Sequence, residues 1–192
     1  MKILIIDNFD SSTYNLVDEL EKRGCEVLIY RNNIDLKLFD KMLKQFKPDI
    51  LVFSSGPGTP KEAGNSVSII REYHKKIPVF GIGLGFQCII EAFDGKVSRS
   101  AEIAHGKQSK ITHDSLTIFK GMPEQFRAGR YDSLAASDVP YCFEVSSRTK
   151  KGTIMSVRHK ELPIEGIQFH PESILTPLGY RIIDNIIKEL AK

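Results

Sequence analysis

The sequence of 192 residues has no tryptophan, only three cysteines and a net charge of just +3 with histidine taken as neutral. So small a charge makes no electrostatic case for nucleic acid or an anionic membrane as partner. No apolar run approaches the ~18 residues a membrane span needs. The stretch from Met1 to Ile6 is too short for a signal-peptide core before Asp7 intervenes. Cys25, Cys88 and Cys142 are odd in number, widely spaced and without a C-x-x-C pair. That pattern argues for reduced thiols in a cytoplasmic protein rather than a disulfide framework. No pair of histidines has metal-ligand spacing, so no metal and no cofactor is expected.

What is present is ordinary for a globular chain: 41% hydrophobic and 27% charged residues. The length suits one domain with a full core, here residues 1–192. Lys2 to Asp7 is apolar at consecutive positions, as in a parallel strand covered on both faces. Asp10, Ser11 and Ser12 offer N-caps for a helix carrying Tyr14, Val17 and Leu20, which Gly24 ends. Strands are expected at Cys25 to Tyr30 and Asp49 to Phe53, with a helix over Leu36 to Phe46 between them. Val67, Ile70 and Tyr73 mark a further helix before the strand Pro78 to Phe80. This alternation predicts a doubly wound α/β fold, a mainly parallel sheet with helices on both faces. Its site would lie beyond the carboxyl ends of the strands.

After Phe93 the pattern becomes short strand-like runs at Lys96 to Arg99, Ser109 to Thr112, Ser115 to Phe119, Phe126 to Gly129, Tyr141 to Ser146 and Thr153 to Val157. They predict a small antiparallel extension. Ile164 to Phe169 returns to the sheet, and Leu178, Ile182, Ile183, Ile186, Ile187 and Leu190 stripe a last helix.

Three stretches at the expected sheet edge carry chemistry. Phe80-Gly81-Ile82-Gly83-Leu84-Gly85 is written like a nucleophile elbow, a tight strand-to-helix turn with small residues around one exposed apex. The apex is Gly83, which has no side chain. In isolation, a crowded turn of an ordinary α/β protein is the better account of these glycines. Gly56-Pro57-Gly58 can bring backbone N–H groups up to a ligand carbonyl, or be a plain tight turn. His170-Pro171-Glu172 follows a strand and sets a carboxylate where it can orient an imidazole, although such a pair is often only a surface pair. Their coincidence on one edge favours a site.

These motifs resemble the class I glutamine amidotransferases, in particular the branch that serves anthranilate and aminodeoxychorismate synthases. The resemblance runs nearly end to end: Ile5-Ile6-Asp7-Asn8-Phe9-Asp10-Ser11, Ser55-Gly56-Pro57-Gly58-Thr59-Pro60, Gly85 with Gln87, His105-Gly106-Lys107, Arg130-Tyr131 with Ser133-Leu134, and Gln168-Phe169-His170-Pro171-Glu172-Ser173. It implies a cysteine nucleophile at the position of Gly83, His170 as general base and acid, and Glu172 as its orienter. It implies an oxyanion held by the N–H groups of Leu84 and the Gly56 to Gly58 loop. L-glutamine would lie against Gly58, Gln87, Ser133 and Leu134. Ammonia would pass to a larger chorismate-binding subunit, in tryptophan or folate biosynthesis.

The sequence departs from the family at three places: Gly83 for the cysteine, Phe86 for a histidine, and Asp132 for another histidine. The last two stand beside active-site motifs and so are expected near bound glutamine. Losing a triad nucleophile costs on the order of 10⁶ in rate. Cys88 lies about 140° around the following helix from position 83 and should face the core, so it is no substitute. Gly83 reads either as a deliberate replacement or as natural divergence, and the other two departures favour divergence. The chain is therefore expected not to hydrolyse glutamine. A non-catalytic regulatory paralogue is the alternative, and a hydrolase in which His170 activates water a weaker one. His74, His113 and His159 are expected in solvent.

Overall fold

A computed structural model describes residues 1–190. Six strands and helices alternate at the start: β1 Lys2–Asp7, α1 Thr13–Glu21, β2 Glu26–Arg31, α2 Leu36–Phe46, β3 Ile50–Phe53 and α3 Ser66–Tyr73. β4 Val79–Ile82 and α4 Leu84–Ala92 complete the alternating half. The strands β5 Lys96–Arg99, β6 Lys107–His113, β7 Gln125–Arg130, β8 Leu134–Asp138, β9 Phe143–Thr149, β10 Ile154–His159 and β11 Ile164–Ile167 follow, and α5 Gly179–Glu189 closes the fold. One nine-stranded sheet runs β2-β1-β3-β4-β11-β10-β9-β6-β7. Its first five strands are parallel, and the remaining neighbours pair antiparallel. β5 and β8 form a separate two-stranded ribbon.

The consecutive apolar residues of β1 serve two layers. Ile3 and Ile5 join the core beneath α1 and α5, while Leu4 and Ile6 join the core beneath α2, α3 and α4. That division follows from the period of two along a strand. Asp35 caps α2 by accepting from the N–H groups of Lys37 and Leu38 at 3.0 and 3.1 Å. Lys47 ends it in the left-handed region at φ 52°.

Two stretches differ from the sequence reading. Ser115 to Phe119 is not a strand but a turn, with Ser115 and Thr117 at positive φ and a short 3₁₀ segment at Thr117–Phe119. Phe119 turns into the core and stacks on His113 with ring centres 4.7 Å apart. β8 was not foreseen. The three histidines expected in solvent are half-buried: His113 bonds the Pro123 carbonyl at 2.8 Å, and both His74 and His159 pack on Phe93.

Glu165 of β11 is a buried carboxyl with Oε2 unpartnered among the described residues. Burial pushes its pKa from 4.5 up to about 7, against the Thr117 hydroxyl and the Arg158 charge. Because the folded value is raised, the folded state holds the extra proton and stability falls as pH rises from about 4.5 to 7. The shift corresponds to about 3 kcal/mol. Glu165→Gln should therefore unfold at higher temperature than the parent at pH 8 and at the same temperature at pH 4.5. Equal melting curves at both pH values would refute a buried proton at this position.

Candidate active site

Four adjacent parallel strands end at one place. Asn8 to Ser12 follow β1, Ser54 to Gly58 follow β3, Gly83 follows β4 and His170 follows β11 shortly after its end. The elbow is real: Gly83 sits at φ 56°, ψ −110° between β4 and α4, a conformation that favours glycine. Its N–H donates to the Ile167 carbonyl at 2.8 Å, and its carbonyl accepts from the Gln87 N–H at 3.1 Å. The turn is tight because Gly81 and Gly85 leave no room for side chains. A Cβ on Gly81 would lie 2.6 Å from the Gly85 carbonyl oxygen, and one on Gly85 2.7 Å from the Phe53 Cβ.

His170 is buried and held from several sides. Its N–H donates to the Gly129 carbonyl at 3.1 Å, and the Thr176 hydroxyl donates to its carbonyl at 2.6 Å. The ring meets Tyr131 edge to face at 4.9 Å. Nδ1 lies 2.8 Å from Glu172 Oε1, which also accepts a hydrogen bond from the Ser12 hydroxyl at 2.7 Å. Burial disfavours the imidazolium, but the bond to Glu172 and its charge, with Asp10 and Asp132 beyond, outweigh it and raise the pKa. Glu172 thus fixes the orientation of the ring and leaves Nε2 as the nitrogen it does not engage. Ser12 does stand at the N-cap of α1, but its hydroxyl makes no cap bond and serves Glu172 instead.

Two cavities meet at this point. The inner one, about 240 Å³, is lined by Gly56, Pro57, Gly58, Leu84, Gln87, Ser133, Leu134, Asp132, His105 and His170 among others. The outer one, about 680 Å³, is bounded by Phe9 to Ser12, Tyr131, Glu172 and Ile174. Ser55, Gly56, Pro57, Tyr131 and His170 belong to both. Of the site residues the sequence singled out, Gly56, Pro57, Gly58, Leu84, Gln87, Asp132, Ser133, Leu134, His170 and Glu172 line these cavities, while Gly83 lies behind Ser55 and lines neither. Gln87 donates to Gln168 Oε1 at 3.1 Å, while its own Oε1 is buried and has no partner among the described residues. An unpaired buried acceptor is costly unless a ligand completes it.

Phe86 is elsewhere. It is fully buried in the core beneath α4, against Gly166, where an added Cβ would lie 2.9 Å from its ring. The sequence placed it beside the ligand; the helix turns it away, so it packs the interior and does not line the inner cavity. Asp132 does reach the inner cavity, but both its oxygens are engaged by Arg130, at 3.0 and 2.6 Å. Cys88 is fully buried, and burial pushes its thiol pKa up, which removes it as a nucleophile.

The profile of the family described as glutamine amidotransferase class-I matches residues 4–190. The chain belongs to that family. It is 46% identical over 192 residues to the aminodeoxychorismate/anthranilate synthase component 2 of Bacillus subtilis (strain 168), covering 99% of this chain and 97% of that protein. It is 45% identical over 196 residues to the anthranilate synthase component 2 of Methanocaldococcus jannaschii, covering 97% and 96%. A crystal structure of a putative GMP synthase subunit from Thermoplasma acidophilum superposes with a TM-score of 0.87 at 26% identity, over 100% of this chain and 94% of that one.

Within this candidate site, sequence reasoning missed the polar pins that hold the loops. The Asn8 side chain donates to the Ser54 carbonyl at 2.7 Å and accepts from Asn32 and Ser66 at 3.0 and 2.7 Å. This network presses the β1 loop onto Gly56, where an added Cβ would collide with the Asn8 carbonyl. The only signal was the cluster of small polar residues at strand ends.

Proposed function

We propose that this chain is the glutamine-binding component 2 of a chorismate-using synthase, anthranilate or aminodeoxychorismate synthase, and works in the cytoplasm beside a larger chorismate-binding subunit. L-glutamine would occupy the inner cavity with its side-chain amide at the mouth of α4, where the N–H groups of Leu84 and the Gly56 loop can bind a developing oxyanion. The unpaired Gln87 Oε1 carries this reading, since it offers a buried acceptor for an N–H of the ligand in the cavity wall. Phe9, Tyr131 and Ile174 are exposed apolar side chains bordering the outer cavity, and Ile174 is 94% exposed. They suit a partner surface over the outer cavity.

The family's thioester route is closed, because Gly83 offers no thiol and Cys88 is sealed in the core. A regulatory subunit that binds glutamine without this chemistry is the second reading, and Gly83 is what favours it. Titration calorimetry with L-glutamine and L-glutamate tests the binding step. Glutamine should bind in preference to glutamate, and Gln87→Ala should weaken it about tenfold, the cost of one hydrogen bond at a buried amide. Absence of glutamine binding to the unmodified chain would sink both readings of the pocket. Co-purification with a chorismate-binding synthase subunit tests the partner.

A further inference from the structure

At Gly83 the space for a nucleophile is not empty. An ideal Cβ built on Gly83 would fall closer to Ser55 Oγ than unbonded atoms can approach, and 2.8 Å from Ser55 Cβ. The side chain of Ser55 has taken the position that a side chain at 83 would need. Its backbone is fixed on both sides. The Ser54 carbonyl accepts from the Gly85 N–H of α4 at 3.1 Å, and the Ser55 carbonyl accepts from the Ser54 hydroxyl at 2.8 Å. The Ser55 hydroxyl itself makes no hydrogen bond to the described residues, although the residue is buried. Ser55 and His170 line both cavities, and Ser55 directly precedes the Gly56 loop.

We propose that Ser55 is the nucleophile of this site, its hydroxyl replacing the missing thiol from the opposite wall, with His170 as base and Glu172 as orienter. The proposal rests on the inner cavity binding glutamine. Oγ bonds to the side-chain amide carbon as its proton moves to His170 Nε2. The tetrahedral oxyanion lies between the first N–H of α4 and the Gly56 loop. It collapses by breaking the C–N bond, and the nitrogen takes the proton from Nε2 and leaves as ammonia. A water deprotonated by Nε2 then cleaves the γ-glutamyl ester, releasing glutamate and restoring Oγ–H. A serine needs its base more than a thiol does, and His170 held by Glu172 supplies it.

The test uses the full chain and a glutamine analogue whose side-chain amide is replaced by a diazoketone, followed by peptide mass mapping. Calorimetry with glutamine is run on the same preparations. The expected result is an adduct on Ser55 that is lost in Ser55→Ala, with glutamine binding retained in that variant and glutamate release reduced to background. Ser55→Cys should restore release and make it sensitive to iodoacetamide, with alkylation at position 55. If glutamine binds but the adduct is absent or lies elsewhere, or if glutamate release survives in Ser55→Ala, the proposal is overturned and the glutamine-binding reading stands. If the unmodified chain does not bind glutamine, both fall.

Discussion

Gly83→Cys alone should restore little thiol-dependent glutaminase activity, whereas Gly83→Cys combined with Ser55→Gly should restore it at least about 100-fold more. The single variant puts a Cβ against Ser55, and only part of that conflict can be relieved. The Ser55 hydroxyl can rotate away. Its Cβ, 2.8 Å from the new atom, cannot, and the Ser55 Cα is 3.5 Å away, which is ordinary contact. Ser55→Ala would therefore leave the clash in place, and only glycine removes it. With serine retained, the relief must come from the loop that carries Gly56, whose N–H would bind the oxyanion. Misplacing one such donor costs about 10² to 10³ in rate. Cysteine at φ 56°, ψ −110° adds backbone strain of roughly 1–3 kcal/mol, common to both variants. Glutamate release measured with and without iodoacetamide separates thiol from hydroxyl chemistry. Equal thiol-dependent rates in the single and double variants would show that Ser55 does not obstruct the position.

The contrast between Gly83 and Ser55 marks what the sequence could disclose. The elbow was legible because its glycine spacing is local, although only Gly81 answers to the turn itself, while Gly83 and Gly85 face Ser55 and Phe53 on the neighbouring strand end. His170 and Glu172 were legible for the same reason, being two residues apart at a strand end. β1 was legible as an unbroken apolar run, and α2 spans Leu36–Phe46 as expected. Ser55 was not, since its significance depends on a backbone 28 residues away. Ser12 read as a helix cap and turned out to hold Glu172, 160 positions along the chain. Leu134 to Asp138 lacks β-branched residues and becomes a strand only by pairing with β5, in a register that runs from Arg99↔Leu134 to Lys96↔Asp138. Conversely, the Ser115 to Phe119 run has strand-like residues but two positive φ angles, in a turn held by Ser115 N–H to His113 Nδ1 and Leu116 N–H to Asp114 Oδ1 and closed by Phe119 stacking on His113.

Arg130→Met should cost about 3–5 kcal/mol of stability by urea unfolding and abolish glutamine binding with it. The Arg130 side chain is completely buried, makes four hydrogen bonds and pairs with two carboxylates. Nε and one terminal nitrogen grip Asp132 at 3.0 and 2.6 Å, and that nitrogen also donates to the Glu102 carbonyl at 2.7 Å. The other reaches Ser109 Oγ at 3.3 Å and Glu102 Oε2 at 3.2 Å. Glu102 is itself steadied by the Thr149 and Thr153 hydroxyls at 2.9 and 3.0 Å. Burial works against both charges here, yet the guanidinium pKa is raised and the Glu102 pKa lowered, so the contacts outweigh desolvation. Removing the cation strands Asp132, whose side chain is 1% exposed, as an uncompensated buried carboxylate. Asp132 belongs to the segment that forms the far wall of the inner cavity, fixed by Ala104 N–H to its carbonyl at 3.0 Å and Ser100 N–H to the Ser133 carbonyl at 2.9 Å. The loss therefore reaches Ser133 and Leu134. If the penalty is the stranded charge rather than lost packing, Arg130→Met with Asp132→Leu should recover most of the stability, because an apolar pair of similar volume tolerates this burial. A double variant as unstable as Arg130→Met alone would instead make the hydrogen bonds to Glu102 and Ser109 the source of the stability.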